Sequence, residues 1–229
     1  MKVTTDGCLF GAWAGNEVRS MRSEVRNVLD IGTGTGLLAL MLAQENNFSF
    51  DAIEIDKDSF EQACENVEVS PWAERIKVFH ANAKEFEFPG PYDVIISNPP
   101  FYENELKGSN TKKNIAHHNE GLLLPELMTI IKKNLKPDGS FFLLLPYKRN
   151  AEIRKLLTES ELAIRQLIFV RQSPLHDFFR VMLEGKLKTD VKTEIQIDVI
   201  SIKNASPGSA GDQYTPEFKT LLADYYLHL

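Results

Sequence analysis

The most constraining feature of this sequence is a glycine-rich loop that joins a short apolar segment to a helical one. Residues 27–31 read NVLDI, residues 32–36 read GTGTG, and residues 37–44 read LLALMLAQ. Glycines in such a turn let a ligand approach the backbone closely, and the start of a helix offers N–H groups without a partner inside the helix. The pattern predicts a strand, a ligand-binding turn and a helix; the alternative is a plain strand-to-helix turn.

Strand-like and helix-like segments continue to alternate after this loop. Such alternation predicts βαβ units and therefore a mostly parallel, doubly wound sheet. The predicted strands are 27–31, 50–55, 76–81, 92–97 and 140–145, and the predicted helices are 37–44, 59–69 and 122–135.

The pattern changes in the last third of the chain. A predicted helix at 149–158 is followed by three strand-like segments, 163–170, 180–187 and 194–202, without long helices between them. This is typical of antiparallel strands that complete the edge of a sheet. A closing helix is predicted at 214–227, and no break in composition requires a second domain.

Composition excludes several classes of protein. The chain has 229 residues, 43% of them hydrophobic, which is enough for a core and argues against global disorder. Its two cysteines cannot form a disulfide framework or a zinc site, and neither a membrane span nor a signal peptide is visible, so we expect a cytoplasmic protein. The net charge of −6 is uneven: residues 1–100 carry −8, whereas residues 101–192 carry +5.

Three positions near the predicted strand ends have side chains suited to a nucleoside cofactor. Asp30 precedes the glycine loop, where it would repel a pyrophosphate but attract an ammonium group, and the loop spacing departs from the dinucleotide pattern GxGxxG. Glu54 follows about 20 residues later, where a carboxylate can accept hydrogen bonds from two ribose hydroxyls, while Asp56 is better placed to cap the next helix. Asn82 and Ala83 can meet an adenine amine, or they form a plain loop.

The tetrapeptide Asn98-Pro99-Pro100-Phe101 closes the fourth predicted strand and is the most specific signal in the chain. Two prolines end the strand and hold the backbone extended, so that its carbonyls point in fixed directions. If the Asn98 side-chain oxygen and the Pro99 carbonyl each accept a hydrogen from a planar amine, the lone pair of that nitrogen turns toward an electrophile. Phe101 can stack on the planar substrate. These four residues are the predicted catalytic group.

These motifs resemble the class I S-adenosylmethionine-dependent methyltransferases of the Asn-Pro-Pro-aromatic group, which methylate planar nitrogens. The resemblance covers about residues 27–147. It implies a Rossmann-like α/β fold with a seven-stranded, mostly parallel, doubly wound sheet and an antiparallel edge strand. It also implies the roles of single residues: Asp30, Gly32 and Gly34 with the methionine part of the cofactor, Glu54 with the ribose, Asn82 and Ala83 with the adenine, and Asn98 with both cofactor and substrate.

A closer resemblance is to the bacterial tRNA1(Val) adenine-N6 methyltransferase family. It rests on KVTTDGCLFGAWA at 2–14, on SPWAERI at 70–76 and on DQYT at 212–215. In the first motif we expect a turn at Asp6-Gly7 and an apolar stretch across the cofactor pocket, with Thr5 and Asp6 near the methionine group; the alternative is a simple N-terminal helix on the sheet. The family's opening motif follows a short extended segment, so a few residues are expected before Met1.

The resemblance implies an enzyme that methylates N6 of the adenosine 3′ of the anticodon, position 37, in tRNA1(Val). The implied cofactor is S-adenosyl-L-methionine, with S-adenosyl-L-homocysteine as product and no metal. We expect a single domain over 1–229, in which 1–26 cap the cofactor pocket and 27–229 form the core with its closing C-terminal helix. The implied partner is tRNA, with no membrane and no obligate protein partner, and the protein is expected to be a monomer.

A basic stretch after Phe101 is the candidate RNA-binding region. Cations beside a base-binding pocket suit phosphate contacts, although a solvated surface loop is an equal alternative. Other substrates also remain open: guanine N2 of ribosomal RNA, adenine in DNA, a release-factor glutamine, or no chemistry at all in a cofactor-binding partner subunit. The predicted RNA-binding residues are Lys107, Lys112, Lys113, His117 and Arg149.

Overall fold

The computed structural model describes residues 3–21, 25–99, 122–189, 194–204 and 213–227. In these residues helices and strands alternate through the first two thirds, as the periodicity predicted. The helices are α1 (Thr5–Ser20), α2 (Leu37–Glu45), α3 (Lys57–Glu68), α4 (Leu124–Asn134), α5 (Asn150–Glu159) and α6 (Pro216–Leu222). The strands are β1 (Asn27–Ile31), β2 (Ser49–Glu54), β3 (Ile76–His80), β4 (Tyr92–Ser97), β5 (Leu135–Pro146), β6 (Leu162–Arg171), β7 (Phe178–Leu187) and β8 (Gln196–Ser201).

The strands form one sheet in the order β3-β2-β1-β4-β5-β7-β6-β8. Strands β1 to β5 run parallel, so their carboxyl ends meet at one edge of the sheet. In this sheet β1 lies between β2 and β4, and the chain reverses direction across the sheet there. Ligands of open α/β sheets bind at such a switch point, and the glycine loop begins at this end of β1.

The predicted fold class is confirmed, but two details of the sheet differ from the prediction. Eight strands are present among the described residues instead of seven, because β8 adds to the outer side of β6 in a parallel direction. The antiparallel strand is β7, and it lies inside the sheet between β5 and β6. The short connection from β6 to β7 forces a hairpin, which places β7 beside β6 and leaves β8 as the edge.

Helices cover both faces of the sheet and bury two separate cores. One apolar cluster joins α1, α2 and α6 to one face and includes Phe10, Phe142 and Phe218. The other joins α4 and α5 to the opposite face and includes Leu127 and Phe141. The residues described contain no helix both long and apolar enough to span a membrane.

The N-terminal segment is a helix, so the expected turn at Asp6-Gly7 is wrong. Thr4 caps α1, since its hydroxyl accepts a hydrogen bond from the Gly7 N–H at 3.3 Å. Gly7, Gly11 and Gly15 are spaced by four residues and share a face of the helix. A Cβ at Gly11 would lie 2.7 Å from the sulfur of Met41 in α2, so a larger residue there would require the Met41 side chain to shift. The glycine face therefore allows the two helices to pack tightly.

The family-like segment SPWAERI has a structural role through Arg75. Its guanidinium donates hydrogen bonds to the carbonyl oxygens of Ala43 at 2.8 Å, Asn46 at 2.5 Å and Phe48 at 3.4 Å. These carbonyls lie at the C-terminal end of α2, where backbone acceptors lack helical partners and a positive charge is favoured. Arg75 thus joins the end of α2 to the start of β3.

An Arg75→Met variant is expected to lower the free energy of unfolding by about 2–3 kcal/mol, because it leaves three partly buried carbonyls without a donor. Urea denaturation followed by circular dichroism measures this loss. Arg19→Ala is the matched control: Arg19 pairs with Glu45 at 3.1 Å but its side chain is 55% exposed, so its loss should cost less than about 1 kcal/mol. Equal losses in the two variants would contradict the capping role.

Candidate active site

The glycine loop is held in a conformation that only glycine adopts without strain. Gly32, Gly34 and Gly36 have φ angles of 69°, 59° and 85°. The N–H groups of Gly32 and Thr33 donate to the carbonyl oxygen of Ile53 in β2, at 2.9 and 3.1 Å, and fix the loop to the neighbouring strand. A Cβ at Gly32 would meet no atom within 4 Å, so this side of the loop is open to a ligand.

Asp30 is the last-but-one residue of β1 and is fully buried. Its Oδ2 accepts a hydrogen bond from the Thr33 hydroxyl at 2.6 Å, whereas Oδ1 has no hydrogen-bond partner in the described part of the chain. Burial raises the pKa of Asp30 to about 7, and the negative charge of Glu54 adds to this, whereas the Thr33 hydroxyl and the backbone of Ala39 at the start of α2 act against it. A buried carboxylate oxygen without a partner is suited to receive a positively charged donor.

Glu54 ends β2 and faces the same loop. Its Oε2 accepts a hydrogen bond from the Gly34 N–H at 2.8 Å, and its Oε1 accepts from the N–H groups of Ile55 and Asp56 at 3.0 and 2.9 Å. These three backbone donors fix the carboxylate, which is largely buried. Asp56 caps α3, as predicted, by accepting from the Ser59 N–H at 2.9 Å.

Asn82 and Ala83 lie in the turn that follows β3. The Asn82 side-chain oxygen accepts from the Lys84 N–H at 3.1 Å, and its amide nitrogen donates to Glu85 at 3.3 Å. Both residues are half-buried. The Asn82 side chain therefore stabilises its own turn, and a contact with adenine stays a prediction.

Asn98 follows β4 directly, beside the glycine loop. The preceding Ser97 donates its hydroxyl hydrogen to the carbonyl oxygen of Ile31 at 2.7 Å, which fixes the end of β4 to the end of β1. Asn98 is half-buried and Pro99 is buried. The amide nitrogen of Asn98 lies 4.0 Å from the position of a Cβ on Gly7. The N-terminal end of α1 is therefore adjacent to this part of the predicted catalytic tetrapeptide.

Asp6 takes part in an ion pair at the N-terminal end of α1. The Nε of Arg180 in β7 donates to Asp6 Oδ2 at 2.7 Å. Burial opposes the charged form, but hydrogen bonds from Thr4 and Arg180 hold the pKa of Asp6 below its usual value. Thr5 is exposed. The structure thus uses Asp6 to fix α1 to the sheet, while contacts of Thr5 and Asp6 with a methionine group stay a prediction.

Part of the predicted site lies outside the described residues: Pro100, Phe101, Lys107, Lys112, Lys113 and His117. Among the described candidates for RNA binding, Arg149 follows β5 and forms a two-point ion pair with Glu152 at 2.7 and 2.8 Å. Because Arg149 donates both hydrogen bonds to the Glu152 carboxylate, its pKa is raised.

Comparison with known proteins identifies the family. The Methyltransferase small domain matches residues 18–161. A tRNA1(Val) (adenine(37)-N6)-methyltransferase from Dyadobacter fermentans is 38% identical over 229 residues, which are 99% of this chain and 91% of the relative. One from Parabacteroides distasonis is 36% identical over 100% of this chain and 92% of its own length. The chain belongs to the tRNA1(Val) (adenine(37)-N6)-methyltransferase family. The resemblance indicated by the motifs is confirmed.

Solved structures with low sequence identity share the fold of this methyltransferase family member. The chain superposes with a TM-score of 0.67 on Atu636 from Agrobacterium tumefaciens, a predicted O-methyltransferase, at 14% identity and over 94% of each chain. With the glycopeptide N-methyltransferase MtfA, solved in complex with S-adenosylmethionine, the TM-score is 0.56 at 12% identity, over 77% of this chain and 94% of MtfA. The class I methyltransferase fold is thereby confirmed.

The site of this methyltransferase includes residues that sequence reasoning did not single out. Thr33 holds one oxygen of Asp30, and its spacing of three residues is the signal that could have revealed the bond. Ile55 follows Glu54 and is 42% exposed, unusual for an isoleucine at the end of an inner strand, and it offers an apolar surface to a flat ring. Arg180 lies 174 residues from Asp6, and no local pattern indicates their pairing.

The residues present fit S-adenosylmethionine. Its ammonium group matches the unpartnered Oδ1 of Asp30, since a buried carboxylate needs a charged partner. Its ribose matches Glu54, whose carboxylate is held at the end of β2, and the open side of Gly32 admits a close approach. The described residues contain no group of His, Cys, Asp and Glu side chains that could hold a metal ion.

Proposed function

We propose that this protein transfers a methyl group from S-adenosylmethionine to N6 of adenosine 37 in tRNA1(Val), with N6-methyladenosine and S-adenosylhomocysteine as products. The relatives from Dyadobacter fermentans and Parabacteroides distasonis are named for this activity. The observation that carries the proposal is the position of Asn98 and Pro99 at the end of β4, next to a loop that holds Asp30 and Glu54. This arrangement brings a planar amine and a positively charged methyl donor to one edge of the sheet.

The bound cofactor supplies a methyl group on a positively charged sulfur. Asp30 orients the cofactor through its ammonium group, and Glu54 through its ribose. Asn98 Oδ1 and the carbonyl oxygen of Pro99 accept the two hydrogens of N6, so that the lone pair is free to form the new N–C bond as the S–C bond breaks. The nitrogen then carries a positive charge and loses one proton to water, so that no strong general base is needed.

The proposal includes the way in which RNA reaches the site. An unpaired anticodon-loop base costs little to turn out of its stack compared with a base in a duplex. Phosphate contacts by Lys107, Lys112, Lys113, His117 and Arg149 would hold the loop, and their strength would fall with added salt. We further propose that residues 1–26 cap the cofactor pocket and that the protein acts in the cytoplasm. We also propose that it is a monomer, and sedimentation with and without tRNA tests this oligomeric state.

Nucleoside mass spectrometry tests the proposed function directly. A tRNA1(Val) transcript incubated with the protein and S-adenosylmethionine should gain one N6-methyladenosine, and a transcript with guanosine in place of adenosine 37 should gain none. Methylation of both transcripts would exclude position 37. If ribosomal RNA, DNA or a release-factor peptide is methylated and tRNA is not, the substrate is that molecule and the tRNA proposal is wrong.

A further inference from the structure

Strand β7 begins with a β-bulge that changes the direction of one aromatic side chain. Val170 of β6 pairs with Arg180 of β7, but the next residue of β6, Arg171, pairs with Phe178. Phe179 is therefore the extra residue of the bulge. Its side chain is 37% exposed, whereas Val181 and Met182 of the same strand are fully buried. Bulges of this kind are common beside active sites, where they redirect a side chain.

The bulge lies at the edge of the sheet where Asn98 is located. In the register, Arg180 is opposite Pro146 at the end of β5, and Leu143 of β5 is opposite Ser97 at the end of β4. Neighbouring strands are about 4.8 Å apart and residues along a strand about 3.3 Å apart, so Arg180 lies two strands across from Ser97 and three residues further along the strands, on the order of 14 Å away. The N-terminal end of α1 lies next to both strands: Asp6 bonds to Arg180 of β7, and Gly7 is beside Asn98 at the end of β4.

A fixed cation accompanies the exposed ring. The guanidinium carbon of Arg180 lies 6.0 Å from the centroid of the Phe179 ring, within the range of a cation–π contact. Asp6 holds that guanidinium at 2.7 Å. Nearby, Arg171 lies 5.6 Å from the ring of Phe178 and donates a hydrogen bond to Ser201 at 2.9 Å. The acidic residue Asp177 directly precedes Phe178 in the connection from β6 to β7.

We infer that Phe179, backed by Arg180, stacks on a base next to the methylated adenosine in the bound anticodon loop. Proteins that bind single-stranded RNA combine exposed aromatic rings with arginines, because every base has a flat face and the backbone is negative. This inference rests on the proposed function, since it needs a nucleotide at Asn98. A platform one nucleotide away fixes the loop once the target base has left its stack, and so it acts on RNA affinity and leaves the reacting atoms untouched.

The test compares Phe179→Ala, Phe179→Leu and Phe179→Tyr in steady-state assays with an anticodon stem-loop. The alanine and leucine variants should raise the KM for RNA by about tenfold or more, as expected from the loss of one base–ring stack. The tyrosine variant should stay within about twofold of wild type, since it keeps the ring. The KM for S-adenosylmethionine should not change in any of them.

Val69→Ala is the matched control, because Val69 is 85% exposed at the end of α3 and its loss removes apolar surface away from the site. An unchanged RNA KM in both Phe179→Ala and Phe179→Leu overturns the platform, as does an equal rise in Val69→Ala. The leucine variant preserves most of the apolar volume, so a folding defect in the alanine variant does not decide the outcome. If wild type methylates no RNA, the proposed function fails by itself, and fluorescence anisotropy with the labelled stem-loop still compares RNA binding by wild type and the four variants.

Discussion

An Asn98→Ala variant is expected to lower kcat by about 10²–10³-fold, the usual effect of removing one preorganised hydrogen-bonding group from a transition state. The reason is geometric: without the side-chain oxygen, one hydrogen of the target amine has no acceptor, and the lone pair remains conjugated with the ring. Affinity for S-adenosylmethionine should change little, because Asp30 and Glu54 remain. Single-turnover rates with tRNA1(Val) and calorimetric titration with the cofactor separate the two effects.

Asn16→Ala is the control for Asn98→Ala. Asn16 accepts a hydrogen bond from Arg19 at 2.8 Å on the outer part of α1, so the control also removes one asparagine amide. Its kcat should equal that of wild type. A kcat of Asn98→Ala within about threefold of wild type would show that this residue does not take part in the transfer. Loss of cofactor binding in Asn98→Ala would instead assign it to the cofactor pocket.

An Asp30→Asn variant is expected to raise the Kd for S-adenosylmethionine by about 10²–10³-fold, because it removes one partner of a buried pair of opposite charges. Asparagine has nearly the same shape and can still accept a hydrogen bond from Thr33, so the fold should be retained. Isothermal calorimetry measures the loss. Asp51→Asn is the matched control: Asp51 lies in β2 opposite Leu29, three residues before Glu54, and its carboxylate accepts a hydrogen bond from the Tyr92 hydroxyl at 2.6 Å. A Kd that rises no more in Asp30→Asn than in this control would rule out the contact with the ammonium group.

Cofactor binding is expected to depend on pH through the side chain of Asp30. In the free protein the pKa of Asp30 is about 7, and a bound ammonium group would favour the carboxylate, so binding releases a proton. The Kd of wild type should therefore fall roughly eightfold between pH 6 and pH 7.5, whereas that of Asp30→Asn should be nearly constant. Calorimetry in buffers with different ionisation enthalpies counts the released proton.

The stability of the cofactor-free protein should change with pH in the opposite direction to its affinity for the cofactor. The folded-state pKa of Asp30 lies above the ordinary value of 3.8, so its contribution to the free energy of unfolding is greatest below about pH 4 and is lost as the pH rises through 7. Asparagine does not ionise, so Asp30→Asn does not lose stability as the pH rises through 7. Without cofactor, the variant should therefore have a higher Tm than wild type at pH 8.

The parts of the fold and site that were predictable depend on short-range patterns. The strands of the first half and the cap at Asp56 follow from periodicity and from residues three positions apart. Local patterns indicated the segments of β6, β7 and β8, but the position of β7 between β5 and β6 and that of β8 beside β6 depend on sheet order, which no local pattern contains. Asp6-Gly7 is typical of a turn, but Thr4 begins a helix there, and the glycines at 7, 11 and 15 make its contact with α2 possible.

The N-terminal helix also has a consequence for the order in which the protein acquires its site. The nearest heavy atom to a Cβ on Gly15 would be the hydroxyl of Tyr225, at 3.3 Å, and that hydroxyl donates to the carbonyl oxygen of Met41 at 3.4 Å. Because α1 precedes Arg180 and Tyr225 in the chain, it can complete its packing only after those later residues have been synthesised. Helix α2 covers the glycine face early, but the part of α1 that packs on α6 stays uncovered until late in synthesis, which makes the nascent chain a candidate for chaperone binding.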